Sequence, residues 1–118
     1  MGAALATVVA CASAPDTERV TAIIAPDFNT YVQHVDPYLT RRCGTLDCHG
    51  QPGRAYRIYG REGYRLQSIK DGSLRSGAEE TQPEEKLANF QALVAIEPEE
   101  MSRLMGRQGV EPERLVFL

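Results

Sequence analysis

A chain of 118 residues is one domain's worth and can bury only a modest core, here without a tryptophan and with three phenylalanines. The net charge of −3 argues against nucleic acid as a general partner. No serine or cysteine nucleophile stands beside an identifiable base and no glycine-rich phosphate loop is present, so hydrolytic and nucleotide chemistry have no foothold.

Residues 1–15 are uncharged apart from the terminus, and the apolar run from Ala3 ends in Val8-Val9-Ala10-Cys11. Small residues before a cysteine suit a lipoprotein signal, which predicts export and a lipid on Cys11, with Ser13 to Glu18 as a tether. The run lacks a basic opening and is too short to span a bilayer as a helix, so a buried N-terminal element is the competing expectation. Residues 16–118 are then a single domain.

From Asp27 onward, Phe28, Val32, Val35 and Leu39 fall at helical spacing and lead into Cys43. There the chain reads Cys43-Gly44-Thr45-Leu46-Asp47-Cys48-His49-Gly50, two thiols with an imidazole directly after the second. That order is the one required when two cysteines bond to the vinyl groups of a haem and the histidine ligates its iron. Four residues separate the cysteines, where two are usual. Two other readings stand beside it: a local Cys43–Cys48 disulfide in an exported structural or interaction protein, and a zinc site that would have to recruit His34, Cys11 or a carboxylate.

Taken together, Phe28, Val35, Pro37, Leu39, Cys43, Cys48, His49 and Gly50 resemble the N-terminal pattern of planctomycete-type monohaem cytochrome c domains, over about residues 27–53. Beyond that the chain is similar, more loosely, to exported haem-domain lipoproteins of myxobacteria, through Arg57-Ile58-Tyr59-Gly60 and Glu97-Pro98-Glu99-Glu100-Met101. The resemblance implies one covalent haem c, single-electron transfer to periplasmic or outer-membrane protein partners, and an electron carrier rather than a catalyst. It also implies a backbone carbonyl just after the motif that accepts the second ring hydrogen of His49, with Pro52 as the candidate.

Gln51-Pro52-Gly53 reads as a turn, and from Ala55 to Leu66 apolar residues alternate with arginines, predicting a short β excursion. From Arg41 to Arg75 the chain has eight basic and three acidic residues, a net of +5; from Ser76 to Leu118 it has four and nine, a net of −5. Arg54, Arg57, Arg61 and Arg65 are candidates to hold haem propionates, against a plain solvated basic surface. Thr81 is placed to cap a helix with Pro83 in its first turn, running to about Ile96 with Leu87, Phe90, Leu93 and Val94 as its apolar stripe. Pro98, Glu99 and Glu100 open another helix, carrying Met101, Leu104 and Met105 on one face and stopping at Gly106 or Gly109. Leu115-Val116-Phe117-Leu118 is an apolar run with no polar stop, as expected of a strand entering a core or of a chain cut short.

The expected architecture is mostly α: a small cytochrome c-like helical domain in which the helix before Cys43 packs on the helix from Pro83. Met101 is the first candidate for the second axial position of the iron, Met105 the second, and His34 the bis-histidine option. An empty position would instead allow ligand chemistry.

Overall fold

The computed structural model describes residues 22–68 and 70–116. The segment carrying Cys11, and Phe117 and Leu118, lie outside the described residues. Among those described the fold is helical, without a sheet.

Asp27 starts the first helical run, its carboxylate accepting from the backbone N–H and the hydroxyl of Thr30. α1 (Phe28–Thr30) passes without a break through a π-helical turn (Tyr31–Val35) into α2 (Asp36–Arg42). Pro37 explains the π turn. A proline inside an α-helix lacks its N–H and crowds the carbonyl four residues back, and one wide turn just before it relieves that conflict. The Asp36 N–H then bonds the Tyr31 carbonyl, five residues back. The extra residue rotates the helix face. Val35, expected to point inward, is 38 % exposed, while Tyr31 and the carboxylate of Asp36 are buried.

α3 (Pro83–Ile96) and α4 (Pro98–Gly106) meet the expected boundaries, each with its proline in the first turn. The cap of α3 differs. Gln82, not Thr81, is the N-cap, in a reciprocal pair with Glu85, whose Oε2 accepts from the Gln82 N–H at 2.9 Å. The Thr81 hydroxyl instead accepts from the Arg61 N–H at 3.3 Å. The buried face of α3 keeps Leu93 and Phe90 of the expected stripe and adds Glu85 and Asn89 to it, whereas Leu87 is 44 % exposed.

Tyr31, Leu93, Met101 and Leu115 form the core, with Phe28, Val32, Leu39, Tyr56, Phe90 and Leu104 packed around it. Phe90 sets its ring against Phe28 and Tyr31, each at 5.2 Å between centroids, and so joins α3 to the first helical run. The expected β excursion is reduced to one bridge between Tyr59 and Tyr64, closed by a turn in which the Gly60 N–H bonds the Tyr64 carbonyl.

Polar groups fasten this chain crossing to the helices. Asn89 holds the Tyr59 backbone on both sides, accepting its N–H at 2.7 Å and donating to its carbonyl at 2.8 Å. Its amide and the Tyr31 hydroxyl both donate to Asp36 Oδ1, at 3.3 Å. Arg65 forks onto both oxygens of Glu85 at 2.9 Å and donates to the carbonyls of Ser76, Glu79 and Glu80. Arg61 pairs with Glu80, and Arg75 with Glu84. The basic and acidic blocks of the sequence therefore clasp one another.

Candidate haem attachment site

The Cys43–Gly50 stretch begins as α2 ends. The Cys43 and Gly44 N–H groups bond the Leu39 carbonyl, the last turn of the helix, and the chain then winds back on itself. Cys48 N–H bonds the Thr45 carbonyl at 3.0 Å, Gly50 N–H the same carbonyl at 2.9 Å, and His49 N–H the Cys43 carbonyl at 2.8 Å. The four-residue spacer is thus taken up as a turn. Cys43 and His49 share backbone contact despite the longer spacing, because the extra residues loop outward between them.

The loop is held from behind by glycines. A Cβ on Gly50 would lie 2.0 Å from the Gly44 carbonyl oxygen, and one on Gly63 would lie 1.9 Å from the same atom. Neither position has room for a side chain. Ile58, almost fully buried, donates its N–H to the His49 carbonyl at 2.9 Å.

His49 has one ring nitrogen fixed. Its Nδ1 lies 2.9 Å from the Tyr56 carbonyl oxygen, and since a carbonyl only accepts, the bond places the proton on Nδ1 and leaves the Nε2 lone pair free. Tyr56, not Pro52, supplies this carbonyl. The turn at Gln51-Pro52-Gly53 carries the chain outward, and Tyr56 is where it returns, its ring 5.3 Å from the imidazole. Sequence spacing gave no signal for this role.

Beside His49 is a cavity of about 700 Å³, walled mainly by hydrocarbon and lined by Leu39, Cys43, Ala55, Tyr56, Ile96 and Val116, with Arg54 as its cation. That volume lies within the range of sites for compact organic cofactors. The Tyr56 hydroxyl is buried and has no hydrogen-bond partner among the described residues. Burial, with help from neighbouring Cys43 and Asp36, pushes its phenol up to about 12. An orphaned donor, an apolar wall, an oriented imidazole and an adjoining thiol fit a haem, whose body is apolar and whose edge is polar.

The other sequence candidates are distributed as follows. Cys43 is half-buried on the cavity wall and Cys48 is exposed on the loop, both as free thiols. Of the four arginines only Arg54 lines the cavity. Arg65 directs all five of its donors to Glu85 and to backbone carbonyls, away from the cavity wall. Arg61 is paired with Glu80 at 2.8 Å, and Arg57 lies over the rings of Tyr59 and Tyr64, 5.5 Å from each centroid. Met101 is 3 % exposed in the core cluster, Met105 is half-buried, and His34 is exposed on the π turn. Among the described residues no group of three or more His, Cys, Asp or Glu side chains is gathered to hold an ion, and no helix is long and apolar enough to cross a membrane.

Compared with protein-family models, curated proteins and solved structures, the chain matches none.

Proposed function

We propose that this protein carries one haem c, attached through Cys43 and Cys48 and ligated by His49, and passes single electrons between protein partners. The observation that carries the reading is the meeting of Cys43 and an Nδ1-tethered His49 on the wall of one largely apolar cavity. A haem bound there supplies a one-electron iron couple. The chain's own part is to bind, orient and exclude water. The Tyr56 carbonyl fixes the tautomer and orientation of the imidazole, Leu39, Ile96 and Val116 keep the surroundings of low polarity, and Arg54 and the Tyr56 hydroxyl offer donors to the carboxylate edge. The resemblance to exported haem-domain proteins extends this to a cytochrome c-like domain outside the cytoplasm, anchored by lipid at Cys11.

The test is export from a host equipped for cytochrome c maturation, followed by denaturing electrophoresis with haem-peroxidase staining and by intact mass. A stained band heavier by one haem is expected, and it should vanish in a Cys43→Ser, Cys48→Ser double variant. An unstained band two hydrogens light would identify a disulfide-stapled structural or interaction lipoprotein instead.

A further inference from the structure

Asn89 stands where α3 meets both chain segments that lead to the attachment residues, and it is fully buried. Its amide oxygen accepts from the Tyr59 N–H at 2.7 Å, and its amide nitrogen donates to the Tyr59 carbonyl at 2.8 Å and to Asp36 Oδ1 at 3.3 Å. One acceptor and two donors are thus all engaged. Asp36 opens α2, whose end leads into Cys43. Tyr59 closes the short strap from Tyr56, and that strap grips His49 twice. The Tyr56 carbonyl accepts from the ring Nδ1–H at 2.9 Å, and the Ile58 N–H donates to the His49 carbonyl at 2.9 Å. With Ile58 buried close behind Gly44 and both backbone groups of Tyr59 locked, the Tyr56 carbonyl has little freedom to leave the imidazole.

Resting on the reading above in which His49 is the ligand, we propose that Asn89 is a positioning residue for the His49 imidazole: by clamping Tyr59 to Asp36 it sets where the Tyr56 carbonyl stands, and through that carbonyl the orientation of the ring relative to Cys43. An amide does this where a hydrocarbon does not, since it satisfies a buried N–H and a buried carbonyl at once.

The test follows the His49 ring N–H by NMR in the full chain, exported with haem maturation, isotope-labelled at histidine and reduced; its proton resonance lies further downfield the stronger its bond to the Tyr56 carbonyl. In Asn89→Leu the resonance is expected to move upfield or to vanish through exchange with water. Arg65→Leu, which loosens the same crossing from α3 at its Leu66 end, is expected to leave it in place. An unmoved resonance in folded Asn89→Leu overturns the proposal, as does an equal shift in Arg65→Leu, which would mark general loosening. Should Asn89→Leu fail to fold, Asn89→Ser, short enough to admit water to the Tyr59 groups, is judged by the same two outcomes. Protein without covalent haem on the stained gel overturns the haem reading, and the same ring N–H in that haem-free chain then decides the clamp separately.

Discussion

Asp36 is a carboxylate with 1 % exposure, facing Tyr31, Asn89, Lys86 and Glu85. Burial raises its pKa, offset in part by the Asn89 and Tyr31 hydrogen bonds and the Lys86 charge, while Glu85 adds to the rise. With the folded value above the unfolded one, stability is fully present below the ordinary carboxylate range and declines as pH climbs through the raised value. Replacing Asp36→Asn keeps an acceptor for both donors and removes the titration. The variant is expected to match the wild type at low pH and exceed it above that window, as read by urea midpoints across a pH series. Arg54 offers a second residue-scale test. On the proposed haem reading, Arg54→Leu should shift the reduction potential, whereas Arg61→Leu, which loses only its exposed pairs with Glu62 and Glu80, should leave it in place; equal potentials in all three proteins would remove Arg54 from the site.

At the scale of elements, the junction of α3 with the crossing from Tyr59 to Leu66 depends on one buried pair. Glu85 is fully buried and Arg65 nearly so. Burial alone would raise the Glu85 pKa, but Arg65 and the N–H groups of Gln82 and Leu66 outweigh it and hold it below the usual range. Arg65→Leu strands that charge and should cost about 3–5 kcal/mol in chemical denaturation. The Arg65→Leu, Glu85→Leu double variant should recover much of the loss. Helix ends were legible in the sequence because Pro83 and Pro98 fix where helices start whatever surrounds them. Helix faces were less so. Of the stripe Leu87, Phe90, Leu93 and Val94, Phe90 and Leu93 do face the core, but Glu85 and Asn89 share the buried face with them and Leu87 is left outward, which apolar spacing alone does not signal. The outward place of Val35 was hidden for a related reason, since it falls within the π turn at which only Pro37 hinted, while Leu39 beyond it keeps its expected inward side.

Across the whole molecule, the core cluster and the cavity share Leu39 and Tyr56 as a common wall. A domain of this size has little apolar area to spare, and a haem seated in the cavity of about 700 Å³ would bury that shared wall. Haem-loaded protein is therefore expected to melt well above the Cys43→Ser, Cys48→Ser variant. A gain of only 1 kcal/mol already moves a domain of this size by about 4–8 °C. Equal melting temperatures in calorimetry would count against haem as part of the core. The site itself was only partly readable. Cys43, Cys48 and His49 announce their chemistry by type and order, but Tyr56 acts through its carbonyl, which every residue has, and Ile96 and Val116 reach the cavity only through folding.

The meeting of Gly44, Gly50 and Gly63 bears on how such a sequence can drift over time. No substitution at position 50 or 63 leaves the Gly44 carbonyl where it is, whereas Gly77 and Gly106 have open space around them among the described residues. Spacer length between the cysteines faces no such barrier, since the extra residues loop outward. Diverged copies that keep this loop should thus vary in the number of residues between the thiols sooner than in the two glycines behind them, and those glycines would be the surer marks by which to recognise kin.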